Sequence, residues 1–95
     1  NKKIENTIII FDEPTTGLHI HDINKLLKSF NDILKGNNTI VVIEHNMEII
    51  KSSDWIIEMG PDGGKDGGKI IYEGKPENMR SKKTHTAIAL NKYLN

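Results

Sequence analysis

Two apolar runs, each ending abruptly in polar residues, constrain the fold of this chain more than any other feature. The run 7–11 leads into Asp12 and Glu13, and the run 39–43 leads into a polar stretch that contains His45. Both runs are rich in β-branched residues, which is typical of strands buried on both faces of a parallel sheet. Polar groups just past the carboxyl ends of such strands are where open α/β sheets bind ligands. We therefore expect Asp12, Glu13 and His45 to reach one ligand from two neighbouring strands.

The composition excludes several classes of protein. The chain has 95 residues, 13 basic and 13 acidic side chains that cancel, and no cysteine. At this length we expect at most one small domain, which hides roughly 60–70% of its unfolded surface. A neutral chain lacks the basic surface of an autonomous nucleic-acid binder, and we interpret the cluster Arg80–Lys83 as a solvated turn. Without cysteine, disulfides and cysteine-based zinc sites are impossible.

Hydropathy and the first residues bear on localisation. No apolar run approaches the roughly 20 residues that a membrane-spanning helix needs. The opening residues 1–5 also lack the apolar region of a signal peptide. We therefore expect a cytoplasmic protein with no membrane contact. Because the chain does not begin with methionine, we also expect it to be a piece of a longer protein.

The segment between the two apolar runs has helical periodicity. Apolar residues recur at spacings of three and four along one helix face, at Ile23, Leu26, Leu27, Phe30, Ile33 and Leu34. Asp22 is the predicted N-cap, Lys35 complements the helix dipole, and Gly36 is predicted to take the left-handed position beyond the last turn. A strand, a helix and a second strand make a parallel βαβ unit, whose crossover is expected to be right-handed.

Shorter elements are predicted in the rest of the chain. They are a helix over 46–52, strands over 55–59 and 70–73 joined by a glycine-rich connection, a helical turn from Pro76, and a helix over 84–94. The short connection between those two strands favours an antiparallel hairpin. The predicted fold class is therefore α/β, with a parallel βαβ core followed by a short β-hairpin and a C-terminal helix.

An apolar strand that ends in Asp12 and Glu13 suits nucleotide hydrolysis. The first carboxylate can hold Mg²⁺, usually through water, and the second can orient or deprotonate the water that attacks the γ-phosphate. An acidic strand-to-turn junction with no ligand is the alternative, although the following Thr-Thr-Gly-Leu-His adds nothing obvious to such a turn. His45 could donate a hydrogen bond to a γ-phosphate oxygen. A solvated or helix-capping histidine is the alternative there.

These motifs together resemble a known family. The strand with Asp12-Glu13 resembles the Walker B motif of ATP-binding-cassette (ABC) nucleotide-binding domains, Thr16–His19 resembles the D-loop, and His45 resembles the switch histidine of the H-loop. Most transporter cassettes have Asp at the position of His19, and often Thr before the switch histidine. The strings Asp-Glu-Pro-Thr-Thr-Gly-Leu-His, Val-Ile-Glu-His-Asn, Asp-Trp-Ile-Ile and Gly-Pro-Asp-Gly-Gly are similar to the UvrA family, above all its second cassette. That family contains the damage-sensing subunits of bacterial excision repair.

The resemblance implies a set of roles. Asp12 would support Mg²⁺, Glu13 would activate water, and His45 would sense the γ-phosphate of ATP. Thr16, Gly17, Leu18 and His19 would cross a dimer interface to the opposing cassette. ATP and Mg²⁺ are the implied cofactors, and damaged DNA, excinuclease partner subunits and a second cassette are the implied partners.

The resemblance also implies that half of the ATP site is missing. The chain would be the C-terminal fragment of one cassette, partial in its P-loop NTPase fold, because no Walker A or signature motif is present. The stretch 63–69 imitates the spacing of a P-loop, but Ile70 replaces the Mg²⁺-binding hydroxyl and begins a predicted strand. We therefore interpret it as a glycine-rich hairpin. The fragment alone is predicted to be inactive as an ATPase.

Other interpretations stay open from the sequence. His19 and His21 could share a metal, although no further ligands converge on them. Trp55 could stack on a base, but core or interface packing is the preferred interpretation. The chain could also belong to a cassette of a non-repair ABC ATPase, in transport or drug resistance, or to a non-catalytic α/β scaffold.

Overall fold

A computed structural model describes residues 4–60 and 68–95, and the chain divides into two compact units, Asn1–Ile49 and Ile50–Asn95. In chain order the elements are β1 (Ile8–Asp12), α1 (Ile20–Leu34), β2 (Thr39–Ile43), α2 (Met47–Ser52), β3 (Ile56–Met59), β4 (Ile70–Gly74), α3 (Pro76–Met79) and α4 (His85–Leu94). The predicted order of strands and helices is confirmed. The stretch 61–67, which carries most of the P-loop imitation, lies outside the described residues.

The first unit is the predicted βαβ unit. Strands β1 and β2 pair in parallel, with Ile8 opposite Thr39 at one end and Asp12 opposite Ile43 at the other. Helix α1 connects them and packs its apolar stripe on one face of the sheet. The core consists of Ile23, Phe30 and Ile49, with the half-buried Phe11, Leu26, Leu27, Ile40 and Val42 packed against them. The parallel pairing brings the carboxyl ends of both strands to one edge of the sheet.

The opposite face of this sheet is open. Ile8, Ile10, Val41 and Ile43 keep 70%, 66%, 45% and 51% of their surface exposed. The expectation that both strands are buried on both faces is therefore wrong for this chain. The physical reason is that α1 covers one face only, so the alternate residues of each strand point away from the core.

The boundaries of α1 differ from the predicted ones. The helix begins at Ile20, with His19 as an N-cap whose side chain makes no capping bond, and Asp22 lies in the first turn instead. The left-handed residue after the helix is Asn37, at φ 59°, and not Gly36. Glycine is needed at position 36 for another reason, because a Cβ atom there would meet the backbone carbonyl of Ile4.

The second unit is built on an antiparallel hairpin. Strand β3 pairs with β4, with Ile56 opposite Gly74 and a bulge between Glu58 and Met59. Among its described residues, the buried hydrophobic side chains are Ile56, Tyr72, Met79, Ala87 and Leu90. Trp55 stays 55% exposed, so the core packing that was one of its two expected roles is wrong, and packing at an interface stays a prediction. Among the residues that the structure describes, no helix is both long enough and apolar enough to cross a membrane.

Candidate functional site

Glu13 and His45 meet at the carboxyl edge of the parallel sheet. The Nε2 atom of His45 lies 3.5 Å from Oε1 of Glu13, and the two side chains are 88% and 51% exposed. Asp12, at the end of β1, is also exposed. The structure thus brings Glu13 and His45 together at two neighbouring strand ends, places Asp12 at the same edge of the sheet, and leaves all three side chains exposed.

The backbone of Glu13 turns sharply away from the strand. Its φ angle is +48°, in the left-handed region that is uncommon for a residue other than glycine. Its amide still donates to the carbonyl of Ile43 at 2.8 Å, so the last rung of the ladder is kept. Residues in sparsely populated backbone regions concentrate at functional sites, where the surrounding structure holds them in place.

The turn after Glu13 is closed by short-range hydrogen bonds. Both the amide and the hydroxyl of Thr16 donate to the carbonyl of Glu13, at 3.2 and 3.0 Å. The amide of Leu18 donates to the carbonyl of Thr15 at 2.9 Å, and Gly17 has the positive φ of +77° that the turn requires. Thr16, Gly17, Leu18 and His19, the predicted D-loop, are all exposed. The turn is therefore an ordered surface feature beside Glu13.

Glu44 is a member of this region that the motif analysis did not single out for a role. Its Oε2 atom accepts hydrogen bonds from the amide and the hydroxyl of Thr15, at 2.9 and 2.6 Å. Its Oε1 atom accepts from the amide of His45 at 3.1 Å. Burial raises the pKa of Glu44, but the bonds from Thr15, His45 and Asn46 outweigh it and lower the pKa below 4.5. In the sequence, this contact is indicated only by the positions of Thr15 and Glu44, which follow the carboxyl ends of β1 and β2.

His45 does not cap the following helix. The side-chain oxygen of Asn46 accepts hydrogen bonds from the amides of Glu48 and Ile49, at 2.9 and 3.3 Å. Asparagine is a preferred N-cap residue, and it satisfies the first amides of α2. The alternative of a helix-capping histidine is therefore wrong, and the imidazole points to solvent.

Two other candidate clusters gain no support as binding sites. The rings of His19 and His21 stack with their centroids 5.5 Å apart, but within residues 4–60 and 68–95 no group of three potential metal ligands exists. The basic cluster 80–83 is an exposed turn after α3, as predicted. The Nε atom of Arg80 donates to the side chain of Asn91 at 2.8 Å.

Comparison with known proteins gives consistent similarities in sequence and structure. The chain is 51% identical over 89 residues to the UvrABC system protein A of Clostridium perfringens, covering 93% of this chain and 10% of that protein. It is 52% identical over 90 residues to the protein of the same name from Vibrio cholerae, covering 94% of this chain and 10% of that protein. The chain therefore spans about a tenth of the length of these curated relatives. No family model matches the chain.

A solved structure matches the fold. The crystal structure of UvrA2 from Deinococcus radiodurans superposes with a TM-score of 0.86 at 32% identity, over 96% of this chain and 12% of that chain. The predicted ABC-ATPase-like α/β fold class is thereby confirmed.

Proposed function

We propose that this chain, which belongs to the UvrA family, supplies the water-activating carboxylate and the switch histidine of one ATP site in an excision-repair ATPase. About half of its residues are identical to those of UvrABC system proteins A, over more than nine tenths of the chain. The observation that carries the assignment of residues is the 3.5 Å contact between Glu13 and His45 at the carboxyl edge of β1 and β2. The segment corresponds to the later part of the second cassette, from the Walker B strand onward.

Asp12 is the proposed ligand for Mg²⁺. A single exposed carboxylate at a strand end fits this ion, which binds through one or two carboxylates and substrate phosphates and keeps several waters. Bound Mg²⁺ would neutralise charge on the phosphate oxygens. Asp12 itself would hold the metal through a bridging water, while β1 fixes the position of the carboxylate relative to Glu13.

Glu13 and His45 would have different roles at the γ-phosphate. Glu13 would accept a proton from the attacking water, or orient that water, from its position just beyond β1. The imidazole of His45 would donate a hydrogen bond to a γ-phosphate oxygen. Their spacing of 3.5 Å is wide for a strong hydrogen bond between them, and both side chains are exposed. A phosphate and its attacking water could therefore engage both groups at once.

The exposed turn Thr16–His19 is proposed to contact the opposing cassette. Within this turn the amide and the hydroxyl of Thr16 donate to the carbonyl of Glu13, so a contact that moves Thr16 would also move the backbone of the proposed catalytic carboxylate. In the complete protein, ATP binding and hydrolysis by paired cassettes would regulate binding to damaged DNA and the transfer of the lesion to partner excinuclease subunits. Walker A and signature motifs would come from other parts of the protein.

The test is ATP hydrolysis by the full-length UvrA-family protein that contains this segment. Glu13→Gln keeps the shape of the side chain and removes its basicity, so we expect turnover to fall by roughly 100-fold or more. His45→Ala should also reduce turnover strongly. Glu73→Gln is the matched control, because Glu73 is an exposed carboxylate on β4 in the other unit, and turnover should be unchanged. Wild-type hydrolysis in Glu13→Gln would favour a non-catalytic scaffold instead.

A further inference from the structure

One side chain links the two turns that carry Glu13 and His45. Oε2 of Glu44 accepts hydrogen bonds from the amide and the hydroxyl of Thr15, while Oε1 accepts from the amide of His45. The contact with Thr15 joins positions 29 residues apart in the chain. A carboxylate is suited to this place, since it only accepts hydrogen bonds and forms stronger ones than a neutral oxygen.

Each end of this link lies next to a group of the proposed ATP site. Thr15 follows Glu13 by two positions, and the carbonyl of Glu13 accepts from the amide and the hydroxyl of Thr16. The amide of Glu13 donates to Ile43, the residue directly before Glu44. The backbone of Glu13 is thus connected to the end of β2 twice, once through the sheet and once through the Glu44 carboxylate.

The two side chains at the site have little packing of their own to fix them. The imidazole of His45 is 88% exposed and the carboxylate of Glu13 is 51% exposed. Their relative position therefore depends on the backbones of the two turns. Glu13 also holds a left-handed conformation, which persists only where neighbouring contacts enforce it. Two residues after Glu13, Thr15 donates from its amide and its hydroxyl to Glu44, which lies in the other turn.

We propose that Glu44 is a positioning residue that, through Thr15, keeps Glu13 and His45 at the spacing needed to act on one phosphate and its attacking water. The proposal rests on the proposed function of Glu13 and His45. Glu44 itself touches no substrate in this scheme. Its loss should impair the chemical step more than the binding of ATP.

The experiment measures kcat and KM for Mg-ATP in the full-length UvrA-family protein that contains this segment. Because a misplacement of about 1 Å can cost roughly 100-fold in rate, we expect Glu44→Ala to lower kcat by about 10- to 100-fold while KM changes much less. Thr15→Val removes the hydroxyl and keeps the shape, so it should lower kcat by a smaller factor. Thr15→Ser restores the hydroxyl and should recover most of that loss. The double variant Glu44→Ala/Thr15→Val should have a kcat no lower than that of Glu44→Ala alone, because both substitutions remove the same contact.

Two further variants make the outcomes distinguishable. Thr39→Val is the matched control, since it makes the same chemical change at the opposite end of the sheet, and its kcat should equal that of the wild type. Loss of turnover in Glu13→Gln together with wild-type kcat in Glu44→Ala and Thr15→Val would overturn the positioning role alone. Wild-type turnover in Glu13→Gln would overturn the proposed function and the positioning role with it. If Glu44→Ala does not fold, the proposal is still tested by comparing Thr15→Val with Thr15→Ser. Equal kcat values in these two variants would contradict it.

Discussion

Partial burial and several hydrogen-bond donors act in opposite directions on the ionisation of Glu44. Burial raises its pKa, and the bonds from Thr15, His45 and Asn46 lower it by more, so the folded pKa lies below 4.5. The unfolded chain therefore binds more protons than the folded chain as the pH falls through this window. The contribution of Glu44 to stability is fully present above about pH 4.5 and is lost as the pH falls through the lower folded pKa.

This ionisation can be measured directly. In the wild-type chain we expect the side-chain carboxyl carbon of Glu44, followed by ¹³C NMR against pH, to titrate below pH 4.5. In Thr15→Val the pKa should rise, because the hydroxyl that stabilises the carboxylate is gone while burial is kept. Thr16→Val is the control, since its hydroxyl bonds the carbonyl of Glu13 and not Glu44. Titration of Glu44 at or above 4.5 in the wild type would contradict the hydrogen-bond geometry.

The site could be predicted in part at the scale of single residues. The meeting of Glu13 and His45, and the position of Asp12 at the same edge, could be predicted because parallel pairing brings the carboxyl ends of both strands to one edge of the sheet. The hydrogen bonds from Thr15 to Glu44 could not be predicted from the sequence, because they depend on the side-chain conformation of Glu44 and on the path of the turn. The left-handed backbone of Glu13 is likewise a product of tertiary contacts, since glutamate has no intrinsic preference for it.

At the scale of elements, periodicity predicted which segments form helices and strands, and local chemistry misplaced some ends. Asp22 has the chemistry of an N-cap, yet the N-cap of α1 is His19, three residues earlier. The end of α1 is fixed by contacts that are distant in sequence. Gly36 lies against the backbone of Ile4, and the side chain of Asn38 spans the entry to β1. Helical periodicity, with its period of 3.6 residues, does not predict contacts between residues so distant in sequence.

Asn38 should be a strong determinant of the stability of the first unit. It is buried at 7% exposure, its Oδ1 accepts from the amide of Thr7, and its Nδ2 donates to the carbonyls of Ile4 and Ile33. Asn38→Ala leaves the Thr7 amide and the Ile4 carbonyl without this partner, while the Ile33 carbonyl still accepts from the amide of Gly36. Since an unsatisfied buried polar group costs about 1–3 kcal/mol, we expect a loss of roughly 2–3 kcal/mol in the free energy of unfolding, measured by urea denaturation.

The control for this change is Asn31→Ala. Asn31 is exposed within α1, where alanine is the better helix former, so stability should stay the same or rise slightly. A loss below about 0.5 kcal/mol in Asn38→Ala, the range of ordinary surface substitutions, would show that water replaces the side chain without cost.

At the scale of the whole molecule, the motif strings were sufficient to identify the family, but the surroundings of the sheet were not predictable from them. A strand of Ile and Val carries the same pattern whether one or two layers cover it. The chain spans about a tenth of its relatives, and on the open face of its parallel sheet four apolar side chains remain exposed. Exposed contiguous apolar patches of this kind mark surfaces that associate.

The isolated 95-residue chain should therefore self-associate through the face formed by Ile8, Ile10, Val41 and Ile43. The double variant Ile10→Thr/Val41→Thr keeps the β-branched shape and makes the centre of this face polar, so association should weaken without loss of strand pairing. Ile88→Thr is the control, since Ile88 is 57% exposed on α4 in the other unit and should leave association unchanged. Sedimentation velocity over a range of concentrations measures the difference. A wild-type chain that stays monomeric at every concentration would contradict the prediction. Equal weakening by Ile88→Thr would also contradict the prediction, because association would then depend on exposed apolar groups of either unit and not on this face of the sheet.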